Sequence, residues 1–458
     1  MGTLYREAGW VVDTVTSESI GLKAALYQNA LSSDVRTVCK LCSQTLKHRA
    51  ALEAAVSSVT LDEDLESHQR SGGPSGLLLV MAYDMLLGSG IRGGGKLKRA
   101  LHLKKSDMKA CLQQTLSSQE ASQQAADSET FETLPRYLRI NRMRVVDAAS
   151  VALVQQQLAD DLRSRMVAQS PELEASRVEQ LSSVAFDPLV PEVLVLDAKA
   201  KSLLHGQRLV ENGSLVMQDR SSCLAALAAG IQEGDVVLDS CSAPGSKTAH
   251  ALELLRGKGK VIACERSPQR AATLVNRLEQ LSGMEKVGKL PAKSLAVGAC
   301  LRYRAGAATV EVRVGDFLAC DPTQSPFNSV TVLIVDPSCS GSGLPEHHLD
   351  AEQAEPSAER LRRLAAFQQR ILSHALSFPK ARTVTYSTCS THREENEDVV
   401  EAVLRETSCF KVVAALPWWR NAPDAATAGS EPHWASHCIR CDPRYHQCRG
   451  FFLCRFDR

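Results

Sequence analysis

A doubly wound parallel α/β sheet is the fold class predicted for the C-terminal half of this 458-residue chain, and three observations carry the prediction. Five short β-branched runs recur, Asp235–Asp239, Lys260–Cys264, Val310–Val314, Val330–Val335 and Ala381–Ser387. Enough chain separates each from the next for a crossover, which parallel neighbours require. The first run feeds a turn with a single glycine, Gly245, at the carboxyl end of a strand, where such sheets bind their ligands. Phe410–Ala414 and Gly450–Phe456 are candidates for two closing strands, which makes a seven-stranded sheet within residues 216–458.

The segments upstream read differently. Residues 1–105 are predicted to be a helical domain, with Leu22, Ala25 and Leu26 at helical spacing and an apolar stretch from Gly76 to Leu87. Gly90, Gly93, Gly94 and Gly95 stop any helix there, and Lys96, Lys98, Arg99, Lys104 and Lys105 follow with no acid among them. That run suits a solvated surface and equally suits phosphate contacts. Residues 106–132, rich in Gln, Ser and Ala, are predicted to be a linker or insertion. A small α+β unit is expected over 133–215, with Arg136–Asn141, Val193–Leu196 and Ser214–Met217 as strands and Val145–Ala159 helical. Arg136, Arg139, Arg142 and Arg144 with Tyr137 suggest a sheet edge suited to RNA.

Composition sets the class. Hydrophobic residues are 44% and charged residues 23% of the chain, the balance of a globular protein. No apolar run reaches the ~18 residues that span a bilayer, so no membrane partner is expected. The first residues, MGTLYREAGW, lack a secretory pattern, and Arg6 breaks the myristoylation pattern. Fifteen cysteines in such a chain imply a reducing compartment, where thiols serve as core residues, nucleophiles or ligands. With 53 basic against 52 acidic residues, net charge does not draw a polyanion. Cys438-Ile439-Arg440-Cys441 with His446 and Cys448 has zinc-like spacing but lies in the irregular stretch before the last strand, and no metal is predicted. Cys39 and Cys42 read as a core pair.

The chemistry gathers at strand ends. The turn Asp239-Ser240-Cys241-Ser242-Ala243-Pro244-Gly245-Ser246-Lys247-Thr248 lacks both the three-glycine dinucleotide pattern and P-loop spacing. One glycine allows close backbone approach without a pyrophosphate cradle. Glu265 after the second strand suits ribose hydroxyls, Arg270 lies one helical turn on, and Asp316 after the third suits an adenine amino group. Together these predict an adenosine site and S-adenosylmethionine as cofactor. The fourth strand ends in Asp336-Pro337-Ser338-Cys339 and the fifth in Thr388-Cys389, which brings two thiols and a carboxylate beside that site. C5 of cytosine is a poor nucleophile until a thiolate adds to C6 and makes it enamine-like. Asp336, protonated or sharing a proton with the base, can then bond N3 and draw charge from the ring.

These motifs resemble those of the Sun-domain RNA (cytosine-C5) methyltransferases, over roughly residues 135–458. The resemblance also rests on Ser387-Thr388-Cys389-Ser390, Glu394-Glu395-Asn396-Glu397, Gln218-Asp219 and Gly450-Phe451-Phe452. Leu134-Pro135-Arg136-Tyr137, Asp187-Pro188-Leu189-Val190-Pro191-Glu192 and Gly93-Gly94-Gly95-Lys96 are similar to the eukaryotic branch acting on large-subunit ribosomal RNA. The resemblance implies a Rossmann-like methyltransferase sheet with Cys389 as nucleophile, Cys339 assisting release of 5-methylcytosine, and Asp336 touching base and cofactor. It assigns Cys241, Ser242, Ala243, Pro244, Gly245, Ser246, Lys247, Glu265, Arg270 and Asp316 to S-adenosylmethionine. It further implies a monomer working on large-subunit rRNA or a pre-ribosome in the nucleolus. Two departures stand out: Ser242 replaces an alanine and Arg142 a threonine. The rival expectation is an RNA-binding assembly factor that keeps the fold without needing its catalysis. The basic stretch Ser282–Ala308 is expected to be an RNA contact or a loose loop.

Overall fold

The computed structural model describes residues 3–18, 22, 25–26, 31–59, 69–70, 73–122, 134–287, 295–344, 357–422 and 432–458. They form two compact units, one ending before residue 130 and one holding the remainder. No described helix is long and apolar enough to cross a membrane.

In the first unit, helices Thr3–Glu18, Val35–Lys47, Arg49–Ser57, Gly76–Leu86, Lys96–Leu103 and Lys105–Ser122 share one apolar core. The last of them corrects the linker predicted from residue 106. Met108 and Leu112, one turn apart, are buried in that core, and the Gln- and Ser-rich composition belongs to the helix's other positions. Residues 123–133 lie outside the described set. Within the basic run, Lys98 is structural: its Nζ donates to the carbonyls of Ile91 at 2.7 Å and Gly93 at 2.9 Å.

The second unit opens with a small antiparallel sheet of β1 (Arg136–Ile140), β2 (Val184–Phe186), β3 (Val193–Leu196) and β4 (Leu215–Met217), in the order β2–β3–β1–β4. The helix Ala148–Gln169 packs Leu158 and Leu162 onto Leu138 and Leu194. The expected RNA-binding edge does not form, because β1 is an interior strand. Tyr137 is buried and Arg139 fully so. Arg139 donates from Nε to Gln218 at 2.9 Å and pairs with Glu253, on the helix Ser246–Leu254 that packs on the large sheet. Asn141 bonds the carbonyls of Gly213 and Leu281, and Arg144 those of Leu281 and Gln280. These polar residues fasten the small sheet to its neighbour. Arg139→Met is therefore expected to cost about 3–5 kcal/mol in a urea melt, because it strands a buried carboxylate at Glu253. Adding Glu253→Gln should recover part of that loss.

The large sheet contains every predicted strand: β5 (Val236–Asp239), β6 (Lys260–Glu265), β9 (Ala308–Val314), β10 (Val332–Val335), β11 (Thr383–Thr388), β12 (Lys411–Val413) and β14 (Phe451–Asp457). Their order is β9–β6–β5–β10–β11–β14–β12, parallel from β9 to β11, with β14 antiparallel to both its neighbours. Three strands exceed the prediction. β7 (Glu285–Val287) and β8 (Cys300–Ala305) extend the β9 edge, and β13 (Ile439–Cys441) pairs with β14. The described part of 282–308 thus carries two strands, with Leu301, Tyr303 and Ala305 buried and Arg302 and Arg304 exposed in alternation along β8. Residues 288–294 lie outside the described set.

Both faces are covered. Leu274, Val275 and Leu278 of the helix Pro268–Ser282 pack on one face with Val237 and Ala263. Ile371, Leu372, Val399 and Val403, from helices Ala358–Leu376 and Glu397–Glu406, pack on the other with Leu238 and Ile262. Register pairs Asp239 with Ile334, Val335 with Tyr386 and Val314 with Glu265, so the carboxyl ends of β5, β6, β9, β10 and β11 meet at one end of the sheet.

Candidate active site

Two thiols meet where β10 and β11 end. Cys339 follows the Asp336-Pro337-Ser338 turn and Cys389 is the first residue after β11; their Sγ atoms lie 3.1 Å apart, both half-buried. The amide of Gly343 donates to the Cys389 carbonyl at 2.9 Å, and that of Gly450 to the Gly343 carbonyl at 2.9 Å. A Cβ at Gly343 would lie 2.4 Å from the Gly450 oxygen, so these backbones approach only as glycines. The hydrogen bond from Cys339 holds the Cys389 thiol below its ordinary range, and the nearby Lys247 charge works the same way against burial and Asp336. The same bond, with burial, pushes Cys339 well up. Of the two thiols Cys389 is therefore the more readily ionised, with Cys339 as the partner that donates to it.

Asp336 lies beside them. Its Oδ2 takes a hydrogen bond from Lys247 Nζ at 2.7 Å and its Oδ1 one from Ser387 Oγ at 2.7 Å. Lys247 also stands 5.6 Å from the centre of the Phe451 ring. Burial opposes the Lys247 charge, yet Asp336 holds its pKa above the ordinary value. The sequence placed Lys247 in the cofactor turn and a proton on Asp336 or shared between it and the base. In the structure Lys247 points from that turn to Asp336, 2.7 Å away.

The turn after β5 begins with Asp239, which is buried. Its Oδ2 accepts from Thr248 Oγ1 at 2.7 Å, its Oδ1 is buried without a partner, and burial pushes the carboxyl up to about 7. Cys241 is pushed up to about 12 by burial, which disfavours its thiolate. Ser242 donates both its amide, at 3.0 Å, and its hydroxyl, at 2.7 Å, to the Cys264 carbonyl, so the serine there has its added hydroxyl satisfied. Ala243 and Pro244 lead to Gly245, whose φ of 108° favours glycine and where a Cβ would also lie 2.9 Å from Leu274 Cδ1. Ser246 starts the following helix. Glu265 is buried, with Oε1 accepting from the Ser267 amide at 2.9 Å and Oε2 3.6 Å from Arg270, which donates to the Ala243 carbonyl at 2.8 Å. Asp316 is exposed and caps the turn Phe317–Ala319 through the Leu318 amide at 3.0 Å, while the Gly315 amide bonds the Glu265 carbonyl.

His446 uses Nδ1 to accept from the Asp442 amide at 2.9 Å and sets Nε2 2.9 Å from the Arg420 carbonyl, while its ring stacks on Trp419 at 4.6 Å. Among the described residues no group of three or more His, Cys, Asp or Glu is placed to hold a metal.

A parallel sheet with an antiparallel strand inserted next to its edge, a ligand turn after its first strand and chemistry after its fourth and fifth defines a Rossmann-like methyltransferase. A family model described as 16S rRNA methyltransferase RsmB/F matches residues 226–292 and 303–457. A 28S rRNA (cytosine-C(5))-methyltransferase of Mus musculus is 32% identical over 99% of this chain and 91% of its own length. A 26S rRNA (cytosine-C(5))-methyltransferase of Caenorhabditis elegans is 30% identical over 99% and 98%. The solved structure described as "Crystal Structure of PH0851" shares the fold with a TM-score of 0.59, 16% identity and 99% coverage of both chains. The chain belongs to the Sun-domain family of RNA (cytosine-C5) methyltransferases and matches its eukaryotic large-subunit branch.

Proposed function

We propose that this enzyme transfers a methyl group from S-adenosylmethionine to C5 of a cytosine in large-subunit ribosomal RNA, through a covalent bond between Cys389 and C6. The observation that supports it most is the thiol pair at 3.1 Å beside the Lys247–Asp336 ion pair. S-adenosylmethionine supplies an electrophilic methyl group on its sulfonium. The residues fit such a cofactor: Asp239 Oδ1 is a buried polar atom without a partner, Gly245 admits close backbone approach, and Glu265 and Asp316 stand at neighbouring strand ends. Cys241 to Lys247, Glu265 and Arg270 line that end, with Arg270 bracing the turn through Ala243.

Cys389, kept as thiolate by Cys339 and Lys247, adds to C6 of a cytosine turned out of its stack. Lys247 carries the proton that Asp336 shares toward the pyrimidine edge, so that the ring takes up charge as the C–S bond forms. After methylation C5 loses its proton and Cys389 departs. Work on a pre-ribosomal RNA implies an enzyme of the nucleus and nucleolus.

Cys339→Ala tests this. Incubated with in-vitro-transcribed large-subunit rRNA and S-adenosylmethionine, it is expected to accumulate a protein–RNA adduct that survives denaturing gels. No adduct, together with undiminished cellular 5-methylcytosine in a Cys389→Ala strain, would favour a non-catalytic assembly factor instead.

A further inference from the structure

Two buried side chains that the chemistry above does not use form a clamp behind Cys339. Glu395 is fully buried in the short turn Arg393–Glu395 after β11, and Gln368 is fully buried on the helix Ala358–Leu376. Gln368 Nε2 donates to Glu395 Oε1 at 2.9 Å and to the Ser338 carbonyl at 3.1 Å. Glu395 accepts the Ser340 amide at 2.9 Å on Oε1 and the Ser340 hydroxyl on Oε2. The residues on both sides of Cys339 thus end on one carboxylate–amide dyad. The Tyr386 hydroxyl donates to the Glu395 carbonyl at 2.5 Å and fixes the turn. A carboxylate taken wholly out of water is costly unless hydrogen-bonded, and this one directs its bonds at the backbone and hydroxyl of the residue next to a reacting thiol.

We propose that Glu395, braced by Gln368, is a positioning residue that holds Cys339 with its S–H aimed at the Cys389 sulfur and so speeds departure of Cys389 from the methylated base. The inference rests on the covalent reading given above. At release the C5–H bond breaks, its proton passing to water and its electron pair forming the C5=C6 double bond. The C6–S bond breaks with its pair returning to Cys389, and the emerging thiolate accepts a hydrogen bond from Cys339. Glu395 also acts through charge: with the Cys389 hydrogen bond and burial it keeps Cys339 protonated, as that donor must be.

Glu395→Gln in the full-length enzyme preserves size but places a donor or a weaker acceptor against Ser340. With in-vitro-transcribed large-subunit rRNA and tritiated S-adenosylmethionine, the first turnover should stay within about twofold of the unsubstituted enzyme. Steady-state turnover should fall by about 10²-fold, with a denaturation-stable adduct accumulating. An equal fall in first and later turnovers, without adduct, would overturn the proposal, since a merely structural role predicts that. A second readout needs no RNA: in the free protein, iodoacetamide alkylation of Cys339, mapped by mass spectrometry, should move to lower pH in Glu395→Gln, and an unchanged midpoint would also overturn the proposal. If the unsubstituted enzyme methylates no RNA, the functional reading fails while the alkylation result still decides the clamp. Should Glu395→Gln not fold, Gln368→Met, which frees the Ser338 carbonyl, carries the same comparison.

Discussion

Cys389→Ala is expected to lower methyl transfer by about four orders of magnitude or more, equivalent to about 5.5 kcal/mol of transition-state stabilisation, while RNA affinity changes little. The size follows from the role. Without a thiolate at C6 the cytosine ring has no enamine character at C5, and no other described group near the site replaces that bond. Cys339 lies 3.1 Å away but is much the harder of the two to ionise, because the same hydrogen bond that lowers Cys389 raises Cys339. A single-turnover assay with tritiated S-adenosylmethionine and a filter-binding titration on one RNA separate the two effects. Residual transfer above about 1% of the unsubstituted rate would reassign the nucleophile to Cys339.

What the sequence disclosed and what it hid divide along physical lines. The thiols, Asp336 and the turn after β5 were legible because strand ends in a parallel sheet are neighbours by topology, so five β-branched runs suffice to bring them together. Arg139 misled because alternation marks which residues share a face and not whether a second layer covers that face; Glu253 and Gln218 supply the cover. The helix Lys105–Ser122 hid behind its solvated residues, with its buried Met108 and Leu112 sparse among Gln and Ser. β8 carried a readable period-two pattern, buried and exposed in turn, inside a stretch judged by its basic residues. Lys247 was read only as part of the cofactor turn, and its bond to Asp336 went unread, since one residue past the start of a helix the side chain's direction is set by the helix and not by the motif. Glu395 stood inside a recognised motif, but only its contacts with Ser340 and Gln368 give it a physical role.

Lys247→Met should move the acid limb of the kcat/KM profile to higher pH, by about one to three pH units. The sign follows from the charges around Cys389. The Cys339 hydrogen bond and Lys247 favour the thiolate, whereas burial and Asp336 oppose it, so deleting the ammonium leaves the Cys339 bond to work against both. The Cys389 thiol then titrates higher, and at any pH well below its original midpoint the thiolate fraction falls about tenfold for every pH unit that the midpoint has risen. Asp336 loses its 2.7 Å partner at the same time and becomes a half-buried carboxylate facing a developing negative charge. Lys247→Met with Asp336→Asn removes both charges, and Cys389 alkylation by iodoacetamide should return most of the way to the original pH midpoint. RNA methylation should not return with it, since the double variant lacks the proton that the ring needs as Cys389 adds. Restored alkylation with restored methylation would mean that the ion pair serves only to set the thiol's charge. Alkylation left at the high midpoint would mean that the Cys339 hydrogen bond fails too once Lys247 is gone, and a double-mutant cycle with Cys339→Ser measures that coupling.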